Sequence, residues 1–180
     1  MKLLMVITDG FEEVEAIGTL AILRRANLDV DLVSLYDDYA IGRYNVRVSK
    51  LKKFKEIDIN SYDMLIIPGG PEYLVEEKDP EFLNMVKSFA KANKYIAAIC
   101  AGPTILGHLG LLKNKNYTCF TSMNEDFGGK YIDKYVVVDS KLITGRSCAA
   151  SIDFALAIVE TLLGKEKVNK LKESIYYEHN

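Results

Sequence analysis

Tryptophan is absent from these 180 residues, and there are only two histidines, three cysteines and four prolines. Each scarcity excludes something. The histidines, His108 and His179, do not cluster, and Cys100, Cys119 and Cys148 are an odd number without CxxC spacing. Neither a zinc site nor a disulfide framework is therefore suggested, and free thiols in a reducing cytosol fit better. No run approaches the roughly 18 uninterrupted apolar residues of a membrane span. The best candidate, Phe154 to Leu163, is short and contains Glu160. The amino-terminal MKLLMVI is apolar only to Ile7, and Asp9, Gly10, Glu12 and Glu13 follow at once, which does not suit an export signal. Positive charge is not in excess: 23 Lys and Arg stand against 25 Asp and Glu, a net charge of −2. Attraction to nucleic acid or anionic lipid is not expected from that balance. The one basic run, Lys50 to Lys55, reads as a solvated edge or loop. The expectation is a cytoplasmic protein with no nucleic-acid or membrane partner and no metal or cofactor.

What is present describes one globular domain over residues 1–180. Hydrophobic residues make up 49% and charged residues 27% of a chain long enough to bury a sizeable core. Short β-rich runs alternate with longer helical ones, without internal repeats or low-complexity linkers. Leu3 to Ile7 reads as a strand and Glu12 to Ala26 as a helix; Asp29 to Tyr36 and Tyr44 to Ser49 alternate as strands do. Tyr62 to Pro68 is a buried strand ending in Pro68-Gly69-Gly70-Pro71. Asp79-Pro80-Glu81 opens a helix to about Asn93. Tyr95 to Ile99 is another buried strand running into Cys100 and a helix; Tyr117 to Phe120, Tyr135 to Val138 and Lys141 to Thr144 follow as strands. Ala149 to Leu163 is the closing long helix, stopped at Gly164, with a shorter helix to about Ile175 and a fraying tail from Tyr176 to Asn180. The pattern predicts an α/β fold: a flavodoxin-like sandwich, a mainly parallel sheet with helices on both faces. Ligands bind such sheets at the carboxyl ends of the strands, where three unusual loops gather: 8–15, 68–71 and 100–103.

Around Cys100, small residues stand two positions to either side, between a strand and a helix, as a nucleophile elbow requires. The helix amino terminus is expected to lower the thiol pKa and to make Cys100 the most reactive of the three cysteines. A buried structural cysteine closing an apolar strand fits the same pattern. Cys119 and Cys148 lack the elbow and read as packing residues. Gly69 and Gly70 follow a strand and offer backbone amides to an oxyanion, together with that of Ala101; a plain glycine turn is the alternative. Glu12 and Glu13 read as capping or surface acids, whereas Glu15 precedes Ala16, Ile17 and Leu20 and is expected to face inward, where a carboxyl is readily protonated and shares a proton with a thiol.

Gly10 to Glu15 (GFEEVE), Ile66 to Gly70 (IIPGG), Ala98 to Pro103 (AICAGP) and Ser151 to Glu160 together resemble the ThiJ/PfpI superfamily across nearly the whole chain, most closely the branch that holds the Parkinson-disease-linked protein deglycase. The resemblance implies Cys100 as nucleophile, Glu15 as the acid hydrogen-bonded to it, Gly69, Gly70 and Ala101 around an anion pocket, and a homodimer. Two positions depart. Protease-like members carry histidine directly after the nucleophile, where this chain has Ala101, and the deglycase branch places another where this chain has Thr121-Ser122-Met123. Eight helical residues set His108 about 12 Å of axial rise beyond Cys100, so it reads as structural. His179 reads as tail. The resemblance implies glyoxalase or deglycase chemistry on a small α-oxoaldehyde such as methylglyoxal. An oxidative-stress sensor or chaperone in which Cys100 stops at sulfinic acid is the alternative. Peptide or amide hydrolysis comes third, for want of a histidine proton shuttle.

Overall fold

The computed structural model describes residues 1–177; His179 and the last residues of the tail lie outside the described residues. Its centre is a seven-stranded sheet. β1 (Lys2–Ile7) pairs in parallel with β2 (Asp29–Ser34) on one side and with β6 (Met64–Ile67) on the other. β3 (Tyr39–Ile41) and β4 (Arg47–Ser49) form an antiparallel hairpin outside this sheet, and β5 (Lys52–Lys53) is its short edge strand beside β2. β7 (Tyr95–Ile99) follows β6 in parallel; β8 (Asn116–Tyr117) and β9 (Lys130–Tyr131) form a small pair of their own; and β10 (Val136–Asp139) with β11 (Leu142–Gly145) makes the antiparallel hairpin at the far edge. The order is β10-β11-β7-β6-β1-β2-β5. The doubly covered, mainly parallel sheet expected from the sequence is the observed fold.

Alternation along the strands divides the core. Leu3, Met5 and Ile7 of β1 face one cluster with Met64, Ile66, Ala97 and Ile99; Leu4 and Val6 face the other with Leu65, Ile67, Ile96 and Ala98. A buried strand has no polar face, which is why these runs read as continuously apolar. The first face is covered by α1 (Thr19–Arg25), α5 (Ser151–Leu163) and α6 (Lys165–Ser174); the second by α3 (Pro80–Lys91) and α4 (Gly102–His108), with the one-turn α2 (Tyr73–Glu76) nearby. Asp79 caps α3 as its type predicts, accepting from the N–H groups of Glu81 and Phe82 at 2.9 Å each. Among the described residues no helix is long and apolar enough to cross a membrane.

Three expectations need correction. The helix expected from Glu12 opens as a π-helical turn, Val14–Gly18, before α1 begins. Of Tyr117 to Phe120 only Tyr117 is strand, because the chain leaves β8 to run past the end of β7, where Phe120 N–H donates to the Cys100 carbonyl at 2.9 Å. Tyr44 to Ser49 is strand only from Arg47, and it pairs with β3, a strand that the sequence pattern does not mark. The basic run behaves as read: Lys52 lies on the sheet edge and pairs with Asp31.

Candidate functional site

β1, β6 and β7 are neighbours and parallel, so the loops leaving their carboxyl ends meet by topology. They are tied by hydrogen bonds: Glu12 N–H donates to the Gly69 carbonyl at 2.8 Å, and Gly69 N–H donates to Glu15 Oε2 at 2.8 Å. Glu15 is 1% exposed on the π-helical turn, whose wider winding is a common device where a side chain must be aimed. Its own N–H is held by Glu12 Oε2 at 2.8 Å, the capping role expected of Glu12. Glu13 likewise serves structure, accepting from Tyr44 N–H at 2.6 Å.

Cys100 is half-buried and has φ +62°, a left-handed conformation that costs a non-glycine residue energy and persists only where its surroundings enforce it. The enforcing contacts are visible: Cys100 N–H donates to the Gly145 carbonyl at 2.9 Å, and its carbonyl accepts from Phe120. This is the elbow, and it presents the thiol at the strand end. Gly69 fills the space between thiol and acid. A Cβ there would lie 2.6 Å from Glu15 Oε2, 2.7 Å from Cys100 Cβ and 2.9 Å from Ala101 N, so only glycine fits. Gly70, at φ +104°, is as constrained, with a Cβ position 2.4 Å from the Gly10 carbonyl.

The electrostatics follow from that crowding. Burial pushes the Glu15 carboxyl up to about 7, aided by the charge of Glu12 and opposed by the Cys100 thiol and the Gly69 N–H. The Cys100 thiol is also pushed up, by burial, by the charge of Glu15 and by contact with it; Ala101 N–H, aimed at the sulfur, works the other way. The expected lowering of the Cys100 pKa is thus reversed. Helix α4 begins only at Gly102 and contributes little beyond one amide, while a buried carboxylate alongside disfavours a second negative charge. Thiol and carboxyl therefore titrate as a pair: with one proton between them, thiolate beside carboxylic acid is one tautomer of thiol beside carboxylate.

All five residues singled out from the sequence come together here: Cys100, Glu15, Gly69, Gly70 and Ala101. The glycines divide their roles, since Gly69 N–H is spent on Glu15 whereas Gly70 N–H meets no protein acceptor among the described residues. His108 stays away, between Glu77 at 3.3 Å and Glu125 at 3.2 Å. Cys119 is buried, as read, but Cys148 is exposed. Cys148, read from the sequence as packing, has a charge that reaches Cys100, whereas the fully buried pair Glu72 and Glu76 escaped sequence reasoning altogether; Glu72 Oε2 accepts from Thr8 N–H at 2.6 Å. The only signal for Glu72 was its place directly after the Pro-Gly-Gly-Pro loop.

Residues 1–161 match the DJ-1/PfpI family. The chain belongs to that family. It is 35% identical over 180 residues to protein DJ-1 homolog B of Arabidopsis thaliana, covering 96% of this chain and 40% of that protein, so this chain spans less than half of that relative. It is 33% identical to the glutathione-independent glyoxalase DJR-1.2 of Caenorhabditis elegans, over 94% of this chain and 92% of that one. A mutant of a DJ-1 superfamily protein from Salmonella typhimurium superposes with a TM-score of 0.91 at 32% identity, covering 99% of this chain and all of that one. The family accounts for the flavodoxin-like sheet.

Proposed function

We propose that this DJ-1/PfpI protein is a glyoxalase or deglycase acting on small α-oxoaldehydes of the methylglyoxal type, through Cys100 and Glu15 and without a cofactor. The observation that carries the reading is the buried Glu15 carboxyl beside the Cys100 thiol, pushed up to about 7 so that it both gives and takes a proton near neutrality. The similarity to a protein named glutathione-independent glyoxalase supports it.

The steps balance with these groups alone. The Cys100 thiol proton passes to Glu15 as sulfur bonds the aldehyde carbon, and Glu15 returns it to the carbonyl oxygen, giving a hemithioacetal. Glu15 then removes the proton from that carbon and delivers one to the adjacent carbonyl carbon through an enediol, leaving a thioester of the hydroxy acid. Water cleaves the thioester, freeing the acid and restoring the thiol. Gly70 N–H, without a protein acceptor among the described residues, is suited to the developing oxyanion. No histidine is needed in this sequence, because the carboxyl shuttles every proton; peptide cleavage, with a poorer leaving group, does need one.

The test is hydroxy-acid formation from methylglyoxal by wild type and Cys100→Ser side by side. Turnover by wild type and none above background in the variant is expected. Equal rates would remove Cys100 from the chemistry, and with it this function.

A further inference from the structure

Cys148 is left unused by the aldehyde chemistry, yet its placement is specific. β11 runs parallel to β7 with Gly145 opposite Ile99, so both strands end at the same sheet edge, and Cys100 is bonded to Gly145 directly. Three residues beyond Gly145 the chain enters the short turn Cys148–Ala150, anchored where Ser151 Oγ donates to the Cys148 carbonyl at 2.7 Å. Three residues reach at most about 11 Å, which keeps Cys148 near the elbow. A charge on Cys148 is felt at Cys100, adding to the rise of its thiol pKa. Cys119 differs: it lies in the core of the opposite face, and burial is the sole cause that pushes its thiol up to about 11.

We propose that Cys100 and Cys148 form a two-cysteine pair that reduces hydroperoxides, Cys100 taking the oxygen and Cys148 closing an intrachain disulfide. This rests on Cys100 being reactive, as in the function proposed above, but not on aldehyde turnover. The Cys100 thiolate sulfur attacks the peroxide; the O–O bond breaks, sulfur is oxidised to sulfenic acid, and the departing oxygen leaves as water or alcohol with a proton from Glu15. The Cys148 thiolate then attacks that sulfur. The S–O bond breaks, and hydroxide leaves as water with the proton from the Cys148 thiol. A dithiol reductant restores both thiols. Cys148 thereby intercepts Cys100 before it reaches sulfinic acid, which modifies the sensor behaviour implied by the family resemblance.

The experiment exposes the full chain to a small excess of hydrogen peroxide, blocks remaining thiols with iodoacetamide and maps peptides with and without dithiothreitol, alongside methylglyoxal turnover before oxidation. Expected in wild type is a Cys100–Cys148 linked peptide within one chain, reversed by dithiothreitol, with free thiols falling from three to one. Cys148→Ser should carry two added oxygens on Cys100 that dithiothreitol does not remove, and Cys119→Ser should still form the link. Cys100 sulfinate in wild type with Cys148 still alkylated would overturn the proposal, as would a disulfide between two chains. Turnover without the disulfide defeats only this proposal; the disulfide without turnover defeats only the glyoxalase reading.

Discussion

Two buried carboxyl sites share the loops at this sheet edge, and they are built differently. Glu15 has one oxygen on the Gly69 N–H and faces a half-exposed thiol. Glu72 and Glu76 are both completely buried; Glu72 has one backbone N–H, and neither oxygen of Glu76 has a hydrogen-bond partner among the described residues. Burial raises the pKa at both sites, but with opposite consequences. At Glu15 the cost of ionisation is partly offset by the thiol and the Gly69 amide, which leaves the proton transferable at neutrality. At the pair, desolvation and like charge, that of Glu76 on Glu72 and that of Asp79 on Glu76, are answered by a single amide, so the protons stay put. A raised carboxyl is therefore a proton carrier only where an acceptor and solvent both reach it.

Removing the Glu15 carboxyl should have the largest effect. Glu15→Gln preserves shape and the Gly69 contact but cannot carry a proton, so methylglyoxal turnover should fall by ~10²-fold or more, the usual scale of general acid-base catalysis. Below about 7, thiol and carboxyl each hold a proton and no base is present, so wild-type turnover should rise as the pH passes upward through that value. Steady-state rates across pH check both, and a Glu15→Gln profile that keeps this limb would show that another group carries the proton.

The second site should speak through stability. Glu72 and Glu76 bind protons more tightly in the folded chain than at the ordinary 4.5. Their contribution is complete below that value and is lost as the pH climbs through the raised one. Urea unfolding should thus show the wild type losing stability as the pH rises above the ordinary 4.5 and through the raised value, and Glu76→Gln losing less, by on the order of 1–3 kcal/mol once the wild-type pair is forced to ionise. Turnover per folded molecule should barely change in that variant. If Glu76→Gln instead removes the rise in turnover near neutrality, the two sites are one proton network and the contrast drawn above fails.

What was legible in the sequence divides along the same physical line. The placement of Cys100 at a strand end and of Glu15 facing inward was readable because local pattern decides it: small residues flank an elbow, and apolar positions follow an inward-facing acid. The sheet and its order of elements were readable because buried strands need unbroken apolar runs. The partner of the Gly69 N–H was not, since it depends on a residue 54 positions away. Nor was the direction of the Cys100 shift, which is set by how far the meeting loops exclude water, a quantity no local motif carries. Cys148 was misread as packing because three residues of loop and a short turn, rather than any periodicity, bring it to the surface.

The smallest effect belongs to the histidine that a search for a cysteine–histidine pair would seize on. His108 closes α4 with Glu77 and Glu125 on either side and the Phe127 ring edge-on at 5.6 Å. Its side chain is 42% exposed, and Glu125 is more exposed still, so water screens both pairs. Exposed pairs of this kind contribute about 0–1 kcal/mol. Replacing His108 with Gln keeps a polar ring-sized group at the helix end and should lower stability by no more than about 1 kcal/mol in urea unfolding. The rate with methylglyoxal and its pH limb should match wild type, because the helix carries His108 away from the thiol and the proposed proton carrier is the Glu15 carboxyl. A drop comparable to that of Glu15→Gln would place His108 in the chemistry and remove the reason for assigning the shuttle to Glu15 alone.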